Sequence, residues 1–166
     1  MNQKIKVAVI GVGNCFSALY QGIHFYSGQD PKEVSGISHT DIGGYYPTDI
    51  EIVAAFDVDI RKVGKPISEA IFSEPNCCRT FFTGPFEGHG NPVVQMGPVL
   101  DGVSDYMLAQ PEYCGFRLSN ETPVDVAQIL KESKADIVLN YLPVGSVQAT
   151  ECYADHAIRA GTSFVN

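Results

Sequence analysis

Apolar positions gather in three nearly unbroken runs, inside residues 5–10, 51–57 and 136–141, and a shorter run at 162–166 repeats the pattern. Each has the length of one strand without polar alternation, as expected of strands buried on both faces of a parallel sheet. Between the first two runs the period changes. Phe16, Leu19, Tyr20 and Ile23 fall at i, i+3, i+4 and i+7, one face of a helix that Asn14 can cap and that should end near Ser27-Gly28. Residues 28–49 are rich in Gly, Pro, Ser and Tyr with no period, and read as a long inserted loop. Residues 59–71 read as a helix interrupted near Gly64-Lys65-Pro66. The stretch 76–118 is dense in turn signals such as Gly84-Pro85 and Gly97-Pro98, with a third strand expected at 79–82. Order returns where Thr122 suits an N-cap, Pro123 the first helical position and Asp125 the positive end of the dipole, in a helix running to about Lys134. Ser146 then caps a last helix that stops at Gly161. Strands alternating with helices at these lengths predict an α/β fold, a doubly wound parallel sheet over residues 1–166 with the loop inserted.

The junction after the first run carries candidate chemistry. Gly11 and Gly13 follow a buried strand and precede a helix. A glycine there can take a turn closed to other residues, and a second one leaves room for a pyrophosphate beside the free N–H groups of the helix start. The third glycine of the dinucleotide fingerprint is replaced by Phe16. An ordinary strand-to-helix turn is the plain alternative. The second run ends on Asp57, where a carboxylate accepts from the adenosine ribose hydroxyls of a dinucleotide. The gap from Gly13 to Asp57 is 44 residues, against about 20 in the usual pattern, and the inserted loop accounts for the excess. No Arg follows Asp57 directly, and a carboxylate repels a 2′-phosphate, so NAD is expected over NADP. Capping of the next segment is the plain alternative for Asp57.

Composition narrows the classes. The 166 residues suffice for one domain with a sizeable core. A net charge of -8 argues against a nucleic-acid partner. No apolar run approaches the roughly 18–20 residues that span a bilayer, and Met1-Asn2-Gln3-Lys4 leads straight into the first strand without a leader pattern. The five cysteines form no C-x-x-C pair and read as reduced thiols of a cytoplasmic protein. Cys15, at the helix start, reads as a packing residue beside a ligand rather than a nucleophile. The four histidines show no metal-ligand spacing; His89, between two glycines, reads as a loop-surface residue. No metal site and no hydrolase elbow is expected.

Several segments in order resemble the myo-inositol-1-phosphate synthases of the shorter archaeal and bacterial type. They are Ile10-Gly11-Val12-Gly13-Asn14-Cys15, Phe56-Asp57-Val58-Asp59 with Lys62-Val63-Gly64, Ala70-Ile71-Phe72, Gln95-Met96-Gly97-Pro98 with Leu100-Asp101-Gly102, Pro123-Val124-Asp125-Val126, and Tyr141-Leu142-Pro143-Val144-Gly145-Ser146. The resemblance implies conversion of glucose 6-phosphate to an inositol phosphate by internal NAD redox and aldol cyclisation, within inositol and phospholipid biosynthesis. It implies cofactor contacts from Gly11, Val12, Gly13, Asn14, Cys15 and Asp57, from Asp101 in a loop over the cofactor, and from Tyr141, Leu142, Pro143, Val144, Gly145 and Ser146 on the nicotinamide side. Such synthases are about twice this long. The remainder carries the catalytic lysines, the phosphate site and an oligomerising sheet, so a Rossmann-like part without catalytic residues, incomplete alone and part of a homo-oligomer, is implied. A stand-alone NAD-binding or assembly module and a fragment of a sugar dehydrogenase are the other readings.

Overall fold

The computed structural model describes residues 3–30 and 33–166. Met1 and Asn2, and Pro31 and Lys32 of the inserted loop, lie outside the described residues. Five strands, β1 (Ile5–Ile10), β2 (Ile50–Asp57), β3 (Val94–Met96), β4 (Ile137–Asn140) and β5 (Ser163–Val165), form one all-parallel sheet in the order β3-β2-β1-β4-β5. Helices α1 (Asn14–Ser27), α2 (Ile67–Ala70), α3 (Asp105–Leu108), α4 (Val126–Ser133) and α5 (Val147–Ala160) complete the regular elements. No helix among the described residues is long and apolar enough to cross a membrane.

The apolar runs follow from where the pleat points. Successive residues of a strand face opposite sides. Val7 and Val9 of β1 join Phe16, Tyr20 and Ile23 of α1 and Ile67 of α2. Ala8 and Ile10 join Val126 and Leu130 of α4 and Tyr153 and Ala157 of α5. Both faces of the central strands are therefore covered, and neither face tolerates a polar side chain. Phe16, at the position of the missing third glycine, is fully buried and stacks on Tyr20 at 5.7 Å, filling space that a glycine would have closed.

Several expected elements lie elsewhere. The third strand is Val94–Met96, not residues 79–82. Val94 and Met96 bury and pair with the end of β2. Phe81 and Phe82 instead donate their backbone N–H groups to the buried Gln21 Oε1 at 2.9 and 3.2 Å, which holds that segment against α1. The helix expected over 59–71 shrinks to α2, because the chain at Asp59 and Ile60 bonds across to 117–118. α1 is capped by Gly13 and not by Asn14. α4 starts at Val126 under an Asp125 cap that accepts from Gln128 N, since Val124 N is committed to the Met96 carbonyl. Ser146 does occupy the N-cap position of α5, but its side chain makes no cap bond. Among its described residues the inserted loop holds one Ile42–Tyr45 bridge and a single 3₁₀ turn, Pro47–Asp49. His89 is buried, its Nδ1 2.9 Å from the Ile50 carbonyl, and not on a loop surface.

Candidate functional site

Strand order reverses between β1 and β4: the chain leaves β1 toward α1 on one face and β4 toward α5 on the other. The crevice at the carboxyl ends of such a pair is where doubly wound folds take ligands. A cavity of about 850 Å³ opens there, lined by the chain after β1, β2 and β4 and by the segment 98–116.

The glycine turn forms one wall. Gly11 has φ of 85°, and a Cβ there would stand 3.0 Å from the Tyr141 carbonyl oxygen. Only glycine lets the exit of β1 pass so close to the exit of β4. Gly13 lines the cavity, and a Cβ on it would meet nothing within 4 Å. It caps α1 without a side chain, and the first turn of that helix holds no acidic residue. The first-turn N–H groups therefore need a partner from outside the helix. Val12 does not line the cavity: its side chain is fully buried, its N–H donates to Asp57 and its carbonyl accepts from Lys62. Asn14 lines the cavity and straps a neighbouring loop: its Oδ1 accepts from Cys77 N at 2.8 Å and its Nδ2 donates to Cys77 Sγ at 3.1 Å. Cys15 lines the same wall.

Asp57 closes the end of β2. Its Oδ2 accepts from Val12 N at 2.7 Å, and its Oδ1 from Val58 N at 2.7 Å and Asp59 N at 3.0 Å. A carboxylate has about four acceptor sites, so acceptor capacity remains on Asp57, which lines the cavity. Behind it the fully buried Asp59 receives the Arg61 guanidinium and Arg117 N. Burial pushes the Asp59 carboxyl up; the bonds from Arg61 and Arg117 outweigh that and hold it below the usual range. Arg61 also reaches the Gly115 carbonyl at 2.7 Å, clamping the 98–116 segment against the site.

Tyr141, Leu142, Pro143 and Val144 line the cavity after β4. Burial, with the Cys15 thiol nearby, pushes the Tyr141 phenol upward. Gly145 and Ser146 do not line it. Gly145 turns the chain at φ of 96°, and Ser146 Oγ donates to the Pro143 carbonyl at 2.6 Å. Asp101 is also turned away from the cavity. Its two oxygens accept from Gln148 N at 2.9 Å and Ala149 N at 2.8 Å, capping α5 from a distant loop, while its neighbours Leu100 and Gly102 line the cavity. Those N–H bonds lower the Asp101 pKa. A group with a depressed folded pKa adds stability above its unfolded pKa and loses it as pH falls through the folded one. Asp101→Ala should lower the melting temperature at pH 7 and narrow its gap to wild type in acid, which calorimetry at several pH values checks.

Sequence reasoning gives no site role to five contributors. Lys62 is buried and lines the cavity, yet sits on a broken helical pattern that shows no buried face. Tyr153 lines it too, and its spacing from Ala149 and Ala157, all buried on α5, was a readable signal. Val103, Met107 and Phe116 cover the cavity from a stretch with no period at all.

The all-parallel sheet with its crevice at the β1–β4 switch and a glycine turn into α1 defines a Rossmann-like α/β protein. No protein-family model matches the chain. Inositol-3-phosphate synthase of Mycobacterium tuberculosis is 46% identical over 165 residues, covering 98% of this chain and 42% of that protein. Among solved structures, the crystal structure of Ari2 superposes with a TM-score of 0.77 at 32% identity, over 99% of this chain and 45% of that one. A myo-inositol-1-phosphate synthase-related protein from Thermotoga maritima shares the fold, with a TM-score of 0.63 at 18% identity over 99% of this chain and 48% of that one. Over this matched length the chain is similar to inositol-3-phosphate synthases, and it spans about two fifths of the length of the curated relative.

Proposed function

We propose that this chain is the NAD-binding part of an inositol-3-phosphate synthase that converts glucose 6-phosphate to an inositol phosphate, in a cytoplasmic homo-oligomer. One observation carries the cofactor reading: the space beside Gly13 is open for 4 Å at the mouth of a helix without a side-chain cap bond, inside a cavity that Asp57 also lines. That is the cradle a pyrophosphate and its adjoining ribose require.

Bound NAD would supply a hydride acceptor and then a hydride donor, so that none is consumed. The chain's own part is to bind and orient. The N–H groups at the start of α1 would hold the pyrophosphate. The spare acceptor capacity of Asp57 would take the adenosine ribose hydroxyls, and its charge would disfavour a 2′-phosphate. Tyr141, Leu142, Pro143 and Val144 would flank the nicotinamide half. Val103, Met107 and Phe116 would exclude water, which strengthens every polar contact inside. Asp101, Gly145 and Ser146 would act by shaping the two loops. On this reading the acid–base lysines lie outside these 166 residues, and the chain alone would hold cofactor without turning sugar over. Calorimetric titration with NAD and NADP tests this: NAD should bind, and NADP more weakly. No heat and no melting-temperature rise at millimolar NAD, in a folded sample, would overturn the reading.

A further inference from the structure

Lys62 occupies an unusual place for a lysine. It is 2% exposed, while nearly all lysines keep their ammonium in water. Its Nζ donates to the Val12 carbonyl at 2.6 Å, the residue between the two glycines, and reaches the Pro75 carbonyl at 3.5 Å. An ammonium has three donors, so one is left. Among the described residues lining the cavity, Lys62 is the one cation, against the carboxylates of Asp57 and Glu74. Glu74 lies 3.9 Å from the Arg61 guanidinium, so Asp57 carries the cavity charge that a pyrophosphate brought to the glycine turn would otherwise meet uncompensated.

Resting on the NAD reading above, we propose that Lys62 is a positioning residue for the dinucleotide phosphates. Its ammonium ties the turn through the Val12 carbonyl and supplies the positive charge that offsets Asp57 when an anion enters. A purely structural lysine would serve as well if replaced by a neutral donor of similar length. A charge-bearing one would not. Burial disfavours the ammonium and lowers its pKa, partly countered by Asp57 and Asp59; retaining a charged group there at a cost fits a site that awaits an anion.

The test is calorimetric binding of NAD, ADP-ribose and adenosine to the 166-residue chain and its Lys62→Met and Lys62→Gln variants, with a melting curve for each. Loss of one charge-assisted contact predicts binding of NAD and ADP-ribose weaker by about 10- to 100-fold in both variants. Adenosine, which carries no phosphate, should bind all three proteins equally. Wild-type affinity for ADP-ribose should also fall with added salt more steeply than that of the Gln variant. Equal ADP-ribose affinity in wild type and Lys62→Gln would overturn the role of Lys62 while leaving the NAD reading intact. Parallel losses for adenosine would reduce Lys62 to a scaffold residue. Should neither variant fold, a wild-type ADP-ribose affinity that salt leaves unchanged overturns the proposal. Failure of wild type to bind NAD at all would remove both readings together.

Discussion

A Gly13→Val chain should still fold, melting only about 2–4 °C below the wild type, and lose NAD binding. The two halves of that expectation have separate causes. Gly13 sits at φ of -99° and ψ of -157°, in extended backbone that valine adopts freely. A Cβ there meets nothing within 4 Å, so no protein atom has to move. Glycine makes no side-chain cap bond to lose, but it is a better N-cap than valine, so the change costs the helix start about 1 kcal/mol. The isopropyl group would nonetheless fill the approach to the first N–H groups of α1. Losing two amide–phosphate bonds of about 1.5 kcal/mol each weakens binding about 100-fold. Gly11 is the instructive contrast. At φ of 85°, with the Tyr141 carbonyl 3.0 Å from the place of its Cβ, any side chain strains the fold itself. A Gly11 variant that fails to bind NAD would say little, because it should also fold poorly. Titration of Gly13→Val with NAD, beside its melting curve, separates the two. Undiminished affinity would mean that the phosphates do not lie against this turn.

How much of this was legible beforehand follows from range. The strands after which the site opens, β1, β2 and β4, stand where their apolar runs place them, because burial on both faces leaves a local trace in composition. The glycine turn and Asp57 were equally local. The misplaced elements depend on distant partners. Residues 79–82 are expected as a strand, but the buried Gln21 side-chain Oε1 accepts the N–H groups of Phe81 and Phe82, and Phe82 packs beside His24. The cap of α5 comes from Asp101, which is 47 residues from Gln148. The Ser146 expected there spends its hydroxyl on Pro143. Lys62 is the sharpest case: nothing in its neighbours along the chain announces that a cation is buried beneath the turn, since its carbonyl partner lies 50 residues away.

Acid should unfold the chain through His24, and replacing that residue should prevent much of the loss. The ring lies on α1 with 6% exposure, stacked on Phe82 at 5.7 Å and edge-on to Tyr20, Phe86 and His89 at 4.7, 5.0 and 4.8 Å. Its Nε2 has no hydrogen-bond partner among the described residues. Burial, and then the neighbouring His89, lowers its pKa from 6.5 to about 4. In the unfolded chain His24 takes a proton near 6.5; in the folded chain it resists until about 4. Between those values the unfolded state binds more protons, so stability falls as pH falls through that window. At 1.36 kcal/mol per unit the loss from pH 7 to pH 4 is about 3 kcal/mol, a large share of the roughly 5–15 kcal/mol that holds a domain together. His24→Phe keeps the aromatic shape, removes the unpaired nitrogen and removes the titration. It should gain about 1 kcal/mol at pH 7 and stay nearly level down to pH 4. Below that, Asp59 still loses its depressed-pKa contribution in both proteins. Urea unfolding at pH 7, 5.5 and 4 measures the difference. If the variant weakens in acid as steeply as the wild type, the aromatic box around His24 is not what makes this fold sensitive to protons.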